Sequence, residues 1–384
     1  MTAYGSFDLK QLAADVRLAT QQLPEISERA SMNLMFSNDG LIADSDTSVL
    51  NRDIADIQVD SNNTEASNKL LDVIKRSLRG ALQLEFTTVP LYLTALWSII
   101  DQAHPVARSL RAVVHEEMLH LSLICNLLSA LGERPVLTGS VVPRFPSQLP
   151  GGVHPELLLH LEGYGPSALQ TFMEIERPER PIQIIGEPLE SFPEEDTTIG
   201  EFYESILQAI KRLNPYLDPK RQIAGPFTWF VMTKVEHVEE AITLIMAQGE
   251  GARGMPFSQN SRYLSHYYRF KSLSMLTELH WDNRIKKLRK GAPIPSPSVF
   301  SIAPASPNGY GLAVPRALRS ANERFEESYS KMLRLLEESW LEGGDKSFVQ
   351  SLEIMLELGT LAQAIMRIGS PDGRGYCPSF LYRP

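Results

Sequence analysis

Residues 81–99 read ALQLEFTTVPLYLTALWSI, and the helical period of their apolar side chains decides the fold class. The pattern begins upstream of this stretch. Residues at successive seven-residue steps lie on one face of the predicted helix. The residues on this face are Leu71, Leu78, Glu85, Tyr92 and Ile99. A buried carboxylate must be protonated, paired with a cation or bound to a metal ion, because an isolated charge is strongly disfavoured in apolar surroundings. Glu85 is therefore the first candidate metal ligand.

Residues 115–135 read HEEMLHLSLICNLLSALGERP and predict a second helix, which starts near Pro105 and stops before Gly132. Glu117 lies three positions before His120, on the apolar face of this helix. Residues three apart share a face, so Glu117 could bridge two ions while His120 binds one of them. Such pairs are also frequent on ordinary helices, where they are solvated or paired with each other. The apolar surroundings of Glu117 and His120 favour the metal interpretation.

Composition is that of a folded globular protein, with 43% hydrophobic and 22% charged residues in a chain of 384. The formal net charge of −9 argues against binding to nucleic acid or to an anionic membrane, because both need clustered Lys and Arg. The two cysteines, Cys125 and Cys377, cannot form a disulfide framework. With no secretory signal and no segment long enough to span a bilayer, a cytoplasmic location is expected.

Three regions are predicted along the chain. Residues 1–70 form an N-terminal arm or lid, residues 71–290 a metal-binding helical domain, and residues 291–384 a helical extension that packs on the bundle or forms a homodimer interface. Residues 132–166 are rich in Pro and Gly and predict a long irregular crossover. Besides the first two helices, helical patterns are predicted over residues 9–23, 167–176, 198–213, 230–248, 263–280, 315–341 and 346–368.

An ordered series of motifs resembles a known family. After the two stretches quoted above come FPSQLPGG, ALQTFMEIERPE, TIGEFY, AQGEG and SHYYRF. Together they resemble the ferritin-like domain of the iminophenylpyruvate dimer synthase family over about residues 71–273. Members act in violacein, rebeccamycin and staurosporine biosynthesis, where imines derived from amino acids are coupled oxidatively. The resemblance implies a mainly α fold, a ferritin-like four-helix bundle with a long crossover and extra C-terminal helices.

The resemblance also implies a ligand set in two halves. The first half is Glu85, Glu117 and His120, and the second half is Glu176, Glu250 and His266. Four carboxylates and two imidazoles suit two divalent ions, iron or manganese, because hard oxygen donors with a few imidazoles favour these metals. Each second-half residue also has an ordinary interpretation as a solvated, hydrogen-bonded or salt-bridged side chain. The rival donors for this half are Glu201, Glu204 and Glu239.

Two functions are compatible with these features. The first is a dinuclear-metal oxidoreductase that uses dioxygen to act on a small organic substrate, such as an amino-acid derivative, in secondary metabolism. Glu85, Glu117 and His120 would be its catalytic residues. The second is a non-catalytic metal-binding or ferroxidase-like protein that handles iron. The Pro-rich segments, the arm and the extra helices favour the enzyme, because they surround one site in a way that suits enclosing a ligand.

Overall fold

The computed structural model describes residues 64–150, 153–190, 198–224, 231–251, 255–257, 263–342 and 344–384. The helix predicted over residues 9–23 and most of the predicted arm lie outside these ranges. Residues 64–70 belong to the first helix, which therefore begins seven residues before the predicted start at Leu71. None of the helices in the described ranges is long and apolar enough to cross a membrane.

Four helices form a bundle. Helix α1 (Thr64–Ser98) and helix α2 (Pro105–Ala130) form the predicted hairpin, with Pro105 in the first turn of α2. The other two bundle helices, numbered in chain order, are α4 (Ile199–Leu213) and α5 (Val235–Gly249). Helix α1 contacts α2 and α4, and α5 contacts the same two helices from the opposite side. The ring is closed because each helix turns an apolar face toward a shared core.

A second pair of helices lies beside the bundle. Helix α3 (Pro166–Ile175) packs against helix α6 (His266–Ser274), and α6 also contacts α2 and α5. Between α2 and α3, the described residues of the predicted crossover form no α-helix or strand, only a 3-10 turn at Gly139–Val141 and an isolated β-bridge between Ser147 and Leu159. The connection between α2 and α3 is thus long and irregular, as its Pro- and Gly-rich composition predicts.

An antiparallel hairpin follows α6, where the sequence predicts a helix up to residue 280. Strand β1 (Thr277–Asp282) pairs with strand β2 (Lys287–Pro293). The helical prediction is wrong beyond Ser274, because Leu276 takes a left-handed conformation with φ of 46° that ends the helix. The following residues bury Leu279 in a short strand, a pattern too brief for sequence periodicity to separate from a helix.

Two long helices, α7 (Arg316–Glu342) and α8 (Asp345–Met366), form the C-terminal part of the chain. They pack extensively against each other, and they contact the bundle through α2 and α1 respectively. Their buried side chains join the same hydrophobic core as those of the bundle. The division into three regions and the homodimer stay predictions.

Candidate metal centre

The α1–α2 hairpin brings the first three candidate ligands together. Glu85 of α1 lies opposite Glu117 and His120 of α2, and all three side chains are buried. The His120 Nδ1 atom is 3.4 Å from Oε2 of Glu85 and 3.6 Å from Oε1 of Glu117. One donor atom from each residue lies within 4.8 Å of the others, so the three could hold a metal ion.

A second group of three donors shares one residue with the first. It consists of Glu117, Glu176 and His266, again with donor atoms within 4.8 Å of one another and all buried. The His266 Nδ1 atom is 2.8 Å from Oε1 of Glu117 and 3.4 Å from Oε1 of Glu176. Two donor groups that share a glutamate have the arrangement of a carboxylate-bridged pair of metal ions.

The second group is built from helix ends. Glu176 is the residue immediately after α3, where its backbone N–H donates to the carbonyl of Phe172, and His266 is the first residue of α6. Packing of α3 against α6 places the end of one helix beside the start of the other. The two residues are 90 positions apart in sequence, so tertiary packing rather than helical spacing brings them together.

Two buried tyrosines donate hydrogen bonds to the carboxylates at opposite sides of the site. The Tyr92 hydroxyl donates to Oε1 of Glu176 at 2.8 Å, and the Tyr203 hydroxyl donates to Oε1 of Glu85 through a short hydrogen bond. Burial and the neighbouring carboxylates raise the pKa of both tyrosines well above the ordinary value. Both hydroxyls therefore keep their protons and act as donors near neutral pH.

The far nitrogen of each imidazole has an acceptor. His120 Nε2 lies 2.8 Å from Oε1 of Gln248, and His266 Nε2 lies 2.8 Å from Oε2 of Glu116. Burial alone would raise the pKa of Glu116, but Arg269 and His266 outweigh it and lower that pKa to about 2. Glu116 is thus a carboxylate that accepts from the imidazole. An acceptor at Nε2 assigns a proton to that atom, and Nδ1, which faces the carboxylates, is the atom that could bind a metal ion.

The electrostatics and the donor chemistry fit metal ions. Burial lowers the pKa of His120 and His266, but the surrounding carboxylates override it and raise both pKa values. The site therefore favours positive charge at the position between the carboxylates. Oxygen donors with imidazoles suit iron or manganese. The two cysteines are buried and free, and neither belongs to a donor group in the described residues.

Glu250 lies outside both donor groups. Its Oε1 atom accepts a hydrogen bond of 2.5 Å from the backbone N–H of Gly200, and the Thr198 side chain also bonds to its carboxyl group. Burial, with a contribution from the charge of Glu176, raises the pKa of Glu250 to about 8. Its role as a metal ligand stays a prediction that this arrangement does not support.

The three rival donors are engaged elsewhere. Glu201 forms a capping box with Thr198, in which its side chain accepts from the Thr198 N–H at 3.0 Å. Glu204 accepts from Gln208, and Glu239 pairs with a lysine on the protein surface. None of the three belongs to a donor group in the described residues.

Some residues that contact the site are not singled out by the sequence patterns. Thr88 donates to Oε2 of Glu117 at 2.6 Å, and it lies on the face of α1 that also carries Glu85 and Tyr92. Gln248 follows the buried positions Ala241 and Ile245 at helical spacing, so the periodicity of α5 indicates that it lies on the face toward the core. Tyr203 sits among apolar residues of α4, so its pattern indicates core packing.

Comparisons with known proteins agree with this architecture. A family model described as ferritin-like matches residues 78–275, just over half of the chain. A crystal structure of a ferritin-like protein from Caulobacter vibrioides is 21% identical with a TM-score of 0.58, and the match covers 80% of this chain and 97% of that one. At this identity the likeness shows the fold alone. The sequence matches no curated protein.

The matched region contains all five residues of the two donor groups. The predicted fold class, a mainly helical ferritin-like bundle, is confirmed by the family match and the structural likeness. The narrower resemblance to iminophenylpyruvate dimer synthases is not established by them. On the evidence of the family match, the chain belongs to the ferritin-like family.

Proposed function

We propose that this protein is a dinuclear-metal oxidoreductase that uses dioxygen to oxidise a small organic substrate. The observation that carries the proposal is the sharing of Glu117 between two buried donor groups. A single ion would need only one of these groups. A bridging carboxylate with an imidazole on each side is the pattern by which helical bundles hold two redox-active metal ions.

Two iron or manganese ions bound by these residues would supply the redox equivalents that amino-acid side chains lack. Glu85 and His120 would hold one ion, Glu176 and His266 the other, and Glu117 would bridge them. Three carboxylates and two imidazoles offer at most eight donor atoms, about four for each ion, so ions that take five or six ligands would keep open positions. Open positions are what a catalytic metal site requires.

The protein's own residues fix this set and keep water away from it. Tyr92 holds Glu176 by a hydrogen bond, and the Tyr92 ring packs against Phe172 and Phe270 at centroid distances of 4.6 and 5.1 Å. This aromatic cluster joins α1, α3 and α6 beside the second donor group. Water exclusion strengthens the electrostatic interactions inside the site and protects reactive species from side reactions.

A cavity between α3 and α6 supports the enzymatic proposal. Its volume is about 470 Å³, within the usual range of small-molecule pockets, and polar and apolar side chains both line it. Leu169 and Gln170 line it from α3, while Tyr267 and Lys271 line it from α6. Tyr267 directly follows the candidate ligand His266. We propose that substrate binds in this cavity, at the outer side of the helix pair that supplies the second donor group.

The test combines metal analysis with oxygen uptake. Protein reconstituted anaerobically with Fe(II) is expected to hold about two ions per chain, as the bridged arrangement requires. Oxygen uptake should rise when acids derived from aromatic amino acids are added, and the organic product should be identified by mass spectrometry. Stable iron binding with oxygen use that no organic compound stimulates would favour the ferroxidase-like alternative. Failure to bind iron or manganese would overturn both functions.

A cavity variant separates substrate binding from metal binding. Gln170→Trp is expected to fill the cavity and reduce substrate-stimulated oxygen uptake while the metal content stays unchanged. Gln170 is exposed, so the larger side chain should not disturb the core. Ser167→Trp is the matched control, because Ser167 is exposed on the same helix but does not line the cavity.

A further inference from the structure

A small cavity lies where the C-terminal helices pack against the bundle. It lies between α1 and α2 on one side and α7 and α8 on the other, and its volume is about 70 Å³. Its surface is almost entirely apolar. A buried water molecule needs two to four polar partners, so this cavity is suited to an apolar occupant rather than to water. The residues of the two donor groups do not line it.

One side-chain polar group in the cavity wall has no partner. Tyr329 of α7 lines the cavity and is 3% exposed, and its hydroxyl makes no hydrogen bond within the described part of the chain. The two serines of the wall are satisfied by their own helices. Ser122 donates to the carbonyl of Met118 at 2.9 Å, and Ser351 donates to that of Phe348 at 2.6 Å. A buried hydroxyl without a partner is unfavourable, and an acceptor on a bound molecule would relieve it.

The walls can adapt to an occupant. Methionines from three different helices line the cavity, namely Met118, Met332 and Met355. Methionine is unbranched and flexible, so it re-packs around ligands at little cost. Apolar cavities of about 150 Å³ stay dry and bind benzene, so these side chains would have to move enough to about double the present volume of 70 Å³ before a single ring could enter. Half of the wall comes from α7 and α8, which lie beyond residues 78–275 of the family match.

We propose that this cavity is a second ligand site, which binds a small aromatic molecule carrying a carbonyl-type acceptor, with the Tyr329 hydroxyl donating to that acceptor. The apolar wall supplies the affinity, because it removes the ring from water. The hydroxyl supplies the specificity, because it is the wall's unsatisfied side-chain donor. The site is separate from the metal centre and does not depend on the proposed function.

The test uses two probes of nearly the same shape. Acetophenone has a carbonyl group where ethylbenzene has a methylene group, and isothermal titration calorimetry measures the affinity of each for the full-length protein. The ratio of the two affinities is compared between wild type and Tyr329→Phe, so that differences in probe hydration cancel. The ratio should fall by roughly 2- to 10-fold in the variant, the range expected for one net hydrogen bond. Tyr216→Phe is the control, because Tyr216 is 82% exposed.

Location and folding are checked separately. Met355→Trp should fill the cavity and abolish binding of both probes, with an unchanged circular dichroism spectrum. Tyr329→Phe should leave the thermal midpoint equal to or above that of wild type, because it removes an unsatisfied buried hydroxyl. The proposal is overturned if wild type binds neither probe, if the affinity ratio is the same in Tyr329→Phe, or if Met355→Trp binds both probes as wild type does.

Discussion

The two halves of the candidate metal centre are built differently. Glu85, Glu117 and His120 project from the middle of two long helices that pack along their length. Glu176 and His266, by contrast, stand at the end of one short helix and at the start of another. Mid-helix ligands are held by the hydrogen bonds and packing on both sides of them. Ligands at helix ends depend on the position of a whole helix, so the second half should be the more easily disturbed.

The remaining bundle helices, α4 and α5, support the first half without supplying its ligands. Tyr203 of α4 donates to Glu85, and Gln248 of α5 bonds to His120. The second half is supported by Tyr92 and by Glu116 instead. Each half thus has a tyrosine for its carboxylate and an acceptor for its imidazole. The partners have equivalent roles although they lie on helices of different lengths. Mutations of equivalent residues in the two halves can therefore be compared directly.

The largest effect is expected from Glu117→Ala, because Glu117 is the residue that the halves share. Removing it should reduce the metal content from about two ions per chain to nearly none, since each donor group loses its common ligand. The fold should persist, because most of its stability comes from the apolar core. Metal content is measured by inductively coupled plasma mass spectrometry and folding by circular dichroism. Glu204→Ala, on the protein surface, is the matched control and should load normally. Full metal content in Glu117→Ala would contradict the shared-ligand arrangement.

The second-largest effect is expected from removing either imidazole, and it distinguishes the two halves of the metal centre. His120→Ala and His266→Ala should each reduce the metal content to about one ion per chain, because each removes a ligand from one donor group only. The ion that remains should be released more readily in His120→Ala, where only the helix-end half is intact. Dissociation rates into an excess of chelator measure this difference. Equal rates in the two variants would show that the construction of the halves does not affect their stability.

A smaller effect is expected at the partners of the imidazoles. Gln248→Leu and Glu116→Leu should weaken metal binding by roughly 10- to 100-fold, because ligand-orienting groups of this kind carry that much affinity in known sites. The loss should appear in the half to which each partner belongs. Competition titrations with a chelator of known affinity measure it, and Gln208→Leu on the surface of α4 is the control. An unchanged affinity in both variants would mean that these hydrogen bonds do not position the imidazoles.

Sequence periodicity identifies the mid-helix half and leaves the helix-end half to family resemblance. Glu85, Glu117 and His120 each interrupt an apolar stripe of a long helix, which is a local signal. Glu176 and His266 have no such signal, because their proximity arises from the packing of α3 on α6. The resemblance supplies these two residues as well as Glu250, which the structure leaves outside both donor groups. Local patterns thus report long helices well and tertiary contacts poorly.

The same dependence on long local patterns explains which elements of the fold are predicted correctly. Most helices are predicted to within a few residues, because they are long or carry clear capping signals such as Thr198 before α4. The hairpin after α6 is missed, since its strands have six and seven residues and only Leu279 and Leu288 are buried in it. That pattern is too short to define a period. The fold class follows from the long helices and is insensitive to this error.

The smallest effect concerns Glu250, the carboxylate expected in the second half. Glu250→Gln should leave the metal content unchanged, because the carboxyl group bonds to Gly200 and Thr198 rather than to either donor group. In metal-free protein the folded state holds the Glu250 proton up to pH of about 8, whereas a free glutamate releases it near 4.5. Between these values the folded state binds more protons, so the free energy of unfolding falls as pH rises, by at most about 1.4 kcal/mol per pH unit. Urea denaturation from pH 5 to 8 should show a shallower decline in Glu250→Gln than in wild type, with Glu204→Gln as control. Loss of one ion per chain in Glu250→Gln would instead return this residue to the metal centre and give the whole centre four carboxylates and two imidazoles, as in the ferritin pattern.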